Sequence, residues 1–178
     1  MAKIPQIATL LLTGTVGSGK TGTAVAIGHM LQNSDQRAVV IDLDWLGWTH
    51  LGPASPAPGQ MIIKNLVAIW PNFRAAGMRY AILARGLTSR ADLESLKLAI
   101  PDADITVVRL TASTETLDAR LRLRDTGAEL DEHLREAAGM AEVMERLRLE
   151  DFVVSTEGAT VEAVAAEVIR RLGWNTTR

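Results

Sequence analysis

Residues 14–21 read Gly14-Thr15-Val16-Gly17-Ser18-Gly19-Lys20-Thr21, and Gly22 follows. No other stretch narrows the possible folds so far. The spacing matches G-x-x-x-x-G-K-[ST], a loop whose backbone N–H groups cradle phosphate. Its flanks agree with that reading. Ile7 to Leu12 is a short apolar run suited to a buried strand. Thr23 to Gln32 follows with an apolar face at Val25, Ala26, Ile27, Met30 and Leu31, as a helix requires. Glycine lets backbone N–H groups turn inward and approach phosphate oxygens, and the helix N-terminus adds partial positive charge. Lys20 then reaches the β- and γ-phosphates of a nucleotide, and the Thr21 hydroxyl is a ligand for Mg²⁺.

Apolar strand-like runs alternate with helical patterns along the rest of the chain, which argues for an α/β fold with a parallel sheet. Further strands are expected over Arg37–Asp42, Arg79–Ala84, Asp104–Leu110 and Phe152–Val154. Ser89 with Asp92 reads as a capping box opening a helix through Leu98, stopped by Pro101. Thr114–Arg124, Asp131–Leu149 and Val161–Leu172 read as helices, the last ended by Gly173. Thr49–Gln60, with Gly52, Pro53, Pro56, Pro58 and Gly59, is expected to be an irregular loop, either a substrate loop, which its place after the second strand allows, or a surface loop without a role. Pro71 is expected to kink or split the helical pattern over Met61–Ala76.

At 178 residues the chain is expected to form one domain, 1–178, with a proper core. A net charge of −2 gives no reason to expect a nucleic-acid partner. No apolar run has the length to span a bilayer, and Met1–Gln6 is too short for a signal peptide, so a cytoplasmic protein is expected. The absence of cysteine excludes disulfides and thiolate chemistry, and Asn175-Thr176-Thr177 reads as a chance sequon. His29, His50 and His133 show no ligand spacing, so no metal beyond nucleotide-bound Mg²⁺ is expected.

Asp42-Leu43-Asp44-Trp45 closes the second strand. Residues i and i+2 of a strand share a face, so both carboxylates are expected to project beyond the strand end, where open α/β sheets bind ligands. Phosphoryl transfer has two uses for them. One carboxylate orients Mg²⁺ and its waters, and one takes the proton of an acceptor hydroxyl or holds that hydroxyl in line. Trp45 and Trp48 flank the pair. Core packing is the ordinary use of such residues, and a stacking wall for an acceptor is the alternative. Asn65, Trp70 and Asn72 are candidates to line the same cleft, and the charged run Glu129–Glu150 reads as solvated surface.

The phosphate loop, the Asp-x-Asp after the next strand and the terminal Val153-Val154-Ser155-Thr156-Glu157-Gly158-Ala159 segment together resemble small-molecule P-loop kinases. Shikimate kinase, adenylylsulfate kinase and chloramphenicol phosphotransferase are the types concerned. The run Ile41-Asp42-Leu43-Asp44-Trp45-Leu46-Gly47-Trp48 is similar to a bacterial adenylylsulfate-kinase-like group without an assigned substrate. The resemblance implies a three-layer α/β fold, a five-stranded parallel sheet of order 2-3-1-4-5, and a helical lid. It implies that Asp42 stands near Mg²⁺ and that Asp44 faces the acceptor as candidate base. Among Arg120, Arg122 and Arg124 it implies lid arginines, and Arg120 and Arg124 share a helical face. It implies that Thr156 and Gly158 belong to a loop touching adenine. The diagnostic acceptor-binding residues of shikimate kinase and adenylylsulfate kinase are not recognisable.

The resulting expectation is ATP- and Mg²⁺-dependent γ-phosphoryl transfer to a small-molecule hydroxyl, with Lys20, Asp44, Arg120 and Arg124 as catalytic residues and Asp44, Trp45, Trp48 and Asn65 on the acceptor side. Tyr80–Arg85 lacks the acidic residue of mechanochemical ATPases, and no Asn-Lys-x-Asp guanine-reading sequence is present. A nucleotide-binding regulatory protein and an antibiotic-modifying kinase are the alternatives.

Overall fold

The computed structural model describes residues 6–48 and 57–174. Thr49–Pro56 of the expected loop, His50 and the sequon at 175–177 lie outside the described residues. Five parallel strands, β1 (Ile7–Thr13), β2 (Ala38–Asp42), β3 (Tyr80–Ala84), β4 (Ala103–Thr111) and β5 (Phe152–Ser155), form one sheet in the order β2-β3-β1-β4-β5. That is the order the kinase resemblance implies. The helices are α1 (Lys20–Asn33), α2 (Pro58–Ala75), α3 (Arg90–Ala99), α4 (Thr114–Arg124), α5 (Gly127–Leu147) and α6 (Val161–Leu172).

Alternation along β1 explains the three layers. Leu11 points to a core built with Ile62, Leu66 and Trp70 of α2 and Leu93 and Leu96 of α3. Leu10 and Leu12 point to the opposite core, with Ala24, Ile27 and Leu31 of α1 and Val164, Val168 and Ile169 of α6. Apart from the buried Thr9 and Thr13, the strand is apolar because both faces are covered. In α1 the buried stripe is Thr23, Ala24, Ile27 and Leu31, whereas Val25 of the expected apolar face is exposed. Helices α4 and α5 connect β4 to β5 and pack on each other. Arg109 of β4 pairs with Glu145 of α5 at 2.9 Å and with Glu150 at 3.0 Å, which ties the end of this helical pair to the sheet.

Three boundaries differ from the sequence expectation. The irregular segment ends at Ala57, because α2 starts at Pro58. Proline is tolerated in a first helical turn, where its missing N–H has no partner to lose. Pro71 does not split α2, which runs through it as one helix. The carbonyl it leaves unpaired belongs to Val67, an exposed residue, where water can satisfy it. Helix α5 begins at Gly127, four residues before Asp131, and ends at Leu147. The Ser89 cap is present as expected, with the Asp92 N–H donating to Ser89 Oγ at 3.1 Å.

Leu66 is fully buried between α2 and the sheet. Leu66→Ala should destabilise the chain by about 2–5 kcal/mol, the usual cost of a Leu-to-Ala cavity. Urea unfolding followed by circular dichroism checks it, and a loss under ~1 kcal/mol would show that α2 packs loosely on the sheet.

Candidate active site

The loop after β1 is shaped by glycine. Gly14 has φ 146°, and a Cβ there would stand 2.5 Å from the Leu110 carbonyl oxygen and 2.6 Å from Ser18 Oγ. Gly17 and Gly19 also have positive φ, at 80° and 91°. Gly19 caps α1 without a side-chain hydrogen bond, and the first turn of α1 carries no acidic residue. The N-terminal N–H groups therefore face an opening that suits an anion. Ser18 Oγ is buried and makes no hydrogen bond within the protein. Such a group carries a desolvation cost that a phosphate oxygen would relieve. Lys20 Nζ donates to the Thr15 carbonyl at 2.9 Å, so the ammonium already lies against the loop. These residues fit a nucleotide's phosphates.

Opposite the loop, the Thr21 hydroxyl donates to Asp42 Oδ2 at 2.6 Å. Hydroxyl and carboxylate oxygens this close are a suitable start for a hard cation such as Mg²⁺. Asp44 reaches the site by a route the strand reading did not foresee. Strand β2 ends at Asp42, Leu43 is helical and fully buried, and Asp44 opens a single 3₁₀ turn, Asp44–Leu46. The Asp44 N–H donates to Asp42 Oδ1 at 3.1 Å. The two carboxylates are thus brought together by a turn and not by strand alternation. Asp44 lines a cleft of about 450 Å³ with Lys20, Thr21, Arg120, Arg124 and Glu136. Partial enclosure pushes its carboxyl above the ordinary carboxylate range, Asp42 adds to the rise, and Lys20 and Arg85 oppose it. Burial lowers the Lys20 ammonium, with Asp44 and Asp42 opposing.

The lid arginines differ from each other. Arg120 donates to Thr156 Oγ1 at 2.9 Å, to the Thr156 carbonyl at 2.7 Å and to the Gly17 carbonyl at 3.4 Å. It clasps the loop after β5 to the phosphate loop. Glu157 braces the same segment, accepting from the Ser113 N–H at 2.8 Å and from the Thr116 hydroxyl. Thr156 is buried, and Gly158, at φ 61°, makes the turn beyond it. Arg124 makes a two-pronged pair with Asp125, 2.7 and 2.8 Å, and His133 Nδ1 lies 2.7 Å from the same carboxylate. The Arg124 bonds, with His133 adding to them, hold the Asp125 carboxyl down at about 2. Asp125, Glu129 and His133 bring ligand-type atoms within 4.8 Å of one another, but both Asp125 oxygens are already engaged.

On the acceptor side, Trp45 and Trp48 are 67% and 78% exposed, which overturns the expectation of core packing. They pack on each other edge to face, with ring centroids 5.3 Å apart. The 3₁₀ turn explains this, because it commits Leu43 to the core and turns the residues around it outward. Asn65 Nδ2 donates to the Leu46 carbonyl at 2.6 Å, so it fixes this turn to α2. Trp70 is buried and donates to Asp102 at 3.0 Å, away from any cleft role, and Asn72 is exposed.

Sequence reasoning missed Glu136, His133 and Arg85. The run Glu129–Glu150 is not uniformly solvated surface, since Ala137 and Met144 are buried and Glu136 and His133 line the cleft. The available signal was the small and apolar spacing Ala137, Met140, Met144, which marks the inner face of α5. A Cβ on Gly86 would collide with Met140 Cε, so this face lies directly over the end of β3.

No protein-family model matches the chain, and no curated protein matches it by sequence. Among solved structures, the fold is that of small-molecule P-loop kinases. A tunicamycin resistance protein from Deinococcus radiodurans superposes with a TM-score of 0.70 at 20% identity, covering 96% of this chain and 98% of that one. APS kinase from Mycobacterium tuberculosis, solved with AMPPNP and APS, gives 0.64 at 20% identity, covering 96% and 99%. Shikimate kinase from Acinetobacter baumannii gives 0.57 at 14% identity, covering 97% and 96%. No helix among the described residues is long and apolar enough to cross a membrane.

The Asp125 carboxyl titrates below its ordinary value of 3.8, so its contribution is fully present above that value and lost as pH falls through about 2. Asp125→Asn should therefore lower stability by a constant amount above pH ~4, with the gap to wild type closing toward pH ~2. Denaturant midpoints across this window check it. A gap that widened as pH fell would mean that Arg124 and His133 do not stabilise the charged form.

Proposed function

We propose that the protein is an ATP- and Mg²⁺-dependent phosphotransferase acting on a hydroxyl of a small molecule. The observation that carries this reading is the convergence, in one cleft, of the glycine loop with Lys20, the Thr21–Asp42 pair and the Asp44 carboxylate. Three solved neighbours named as shikimate kinase, APS kinase and gluconokinase share the fold and support the class. The loop N–H groups, Lys20 and the Ser18 hydroxyl receive the nucleotide phosphates. Thr21 and Asp42 are the residues that would hold Mg²⁺, whose bound charge offsets that of the phosphates. Arg120 aligns the loop after β5, the adenine side, with the phosphate loop, and Arg124 stands at the lid side of the cleft. The acceptor oxygen attacks the γ-phosphorus, the bond to the β-bridging oxygen breaks, and the acceptor proton passes to Asp44. Asp44 suits this work because its raised pKa makes it a stronger base than an ordinary carboxylate.

The exposed Trp45–Trp48 corner favours a second reading, an antibiotic-modifying kinase with a large planar or ring-bearing acceptor. The superposition on a tunicamycin resistance protein is in keeping with it.

Lys20→Ala should keep the fold and lose about 2–4 kcal/mol of transition-state stabilisation, from charge-assisted contacts to phosphate. Circular dichroism together with an ATP-consumption screen over hydroxylated metabolites and antibiotics measures it, and unchanged turnover would refute the phosphate-loop assignment. The two carboxylates should separate. Asp42→Asn should raise the Mg²⁺ requirement. Asp44→Asn should keep nucleotide binding by calorimetry but reduce transfer, read as a +80 Da product, by about 10²–10⁴-fold. The wild-type acidic limb of kcat/KM should lie above pH 3.8, and Asp44→Asn should abolish it. Normal transfer by Asp44→Asn would remove the base role.

A further inference from the structure

A second cleft, about 460 Å³, opens beside the first, between the start of α2 and α3. Its wall includes Arg85, Lys64, Gln60, Ser95 and Asp92. Arg85 directly follows β3, whose last residue Ala84 is in register with Asp42, and the Leu43 N–H donates to the Ala84 carbonyl at 3.0 Å. Arg85 therefore emerges next to the Asp42–Asp44 turn, and it acts electrostatically on Asp44. Its guanidinium also reaches the start of α2. Nη2 would lie 3.5 Å from a Cβ placed on Gly59, in the first turn of α2.

This arginine is partly buried, yet neither its side chain nor that of Lys64 makes a hydrogen bond or an ion pair with any described residue. Asp92 is the acidic side chain facing them. One of its oxygens accepts from the Ser89 hydroxyl at 2.7 Å, and its N–H donates back to Ser89 Oγ, so it is held in the cap of α3. Among the described residues, the lining of this cleft thus holds two cations and one committed carboxylate. A partly enclosed guanidinium with no hydrogen-bond partner among the described residues is unusual, because its fork of donors is matched by a bidentate oxyanion.

We infer that the acceptor carries an oxyanion, a carboxylate or a phosphate ester, and that Arg85 with Lys64 binds it while the reacting hydroxyl faces Asp44. This rests on the phosphotransferase reading for the hydroxyl end, whereas the oxyanion site stands on the cleft itself. Recognition at Arg85 fixes the acceptor from one end, which orients the other end toward the base. The same arrangement selects against neutral analogues, which would leave the guanidinium enclosed and unpaired.

Two measurements on the full chain test this. In a ¹⁵N NMR titration with sodium sulfate, saturable shifts are expected at Gly59, Arg85 and Gly86 as well as at Gly17 and Gly19. Arg85→Gln should weaken the first set about tenfold or more and leave the phosphate-loop set unchanged. Shifts confined to the phosphate loop, or unaffected by Arg85→Gln, would overturn the inference. In the transfer assay, matched acceptors are compared: neutral sugars and polyols, their carboxylates, and their phosphate esters. The anionic members should exceed the neutral ones in kcat/KM by about tenfold or more, and Arg85→Gln should remove the advantage mainly through KM. Carboxylates and phosphate esters are thereby told apart. Equal or better use of neutral acceptors would overturn the oxyanion site and leave the phosphotransferase reading standing. Transfer to no acceptor would count against the phosphotransferase reading, while the titration still decides the fate of Arg85.

Discussion

The loop leaving β1 passes so close to β4 that a Cβ on Gly14 would stand 2.5 Å from the Leu110 carbonyl. Everything on the C-terminal side of the sheet depends on that approach. It lets the loop turn back over the strand ends, place Ser18 in the interior and start α1 at Lys20. The central position of β1 makes the geometry rigid, because β4 pairs with it from Ile7 to Thr13, β3 from Ala8 to Leu12, and both its faces are covered. A loop anchored in the most buried strand holds its N–H groups in place without a ligand. Less ordering is then left to be done at the moment of binding.

The fold was legible because its signals are redundant. The strand–loop–helix unit, the apolar runs of β2 to β5 and the Ser89 cap each point to the same layers, and the core confirms them from both faces of β1. The candidate site was legible only where a motif fixes the backbone. Gly14 to Thr21 needed no tertiary information. Asp42 and Asp44 are legible as a pair, but their geometry is not, since the i, i+2 alternation runs two residues beyond the strand. What decides the outcome is Leu43, which is fully buried and helical, so the chain turns there. Tertiary burial of a single leucine overrode the local period.

Other misses share that cause. Glu136 and His133 sit in a run whose charge density reads as surface, and nothing local says that one face of α5 lies over the end of β3. Arg85 follows an apolar strand and belongs to no motif. Its meaning comes from the register that sets Ala84 beside Asp42 and from the absence of an ion pair or side-chain hydrogen bond among the described residues. The tryptophans illustrate the converse. Size and hydrophobicity argue for the core, but a 3₁₀ turn with Leu43 already filling the inward position leaves Trp45 and Trp48 to shield each other at the surface.

In the proposed phosphotransferase, charge balance would favour a metal-bound nucleotide over a bare one. Asp44 and Glu136 line it and Asp42 borders it, against Lys20, Arg120 and Arg124. Arg124 is paired with Asp125, and Arg120 has its donors on Thr156 and Gly17. Lys20 is therefore the cation with most capacity left, and three carboxylates already act on it. A bare triphosphate would bring several negative charges into a site with no surplus of positive charge, at a Coulomb cost that partial burial enlarges. A divalent cation beside Thr21 and Asp42 removes that cost, and the carboxylates become favourable partners instead of repulsive ones. In the proposed phosphotransferase, the carboxylates near Lys20 would thus make nucleotide binding conditional on the metal.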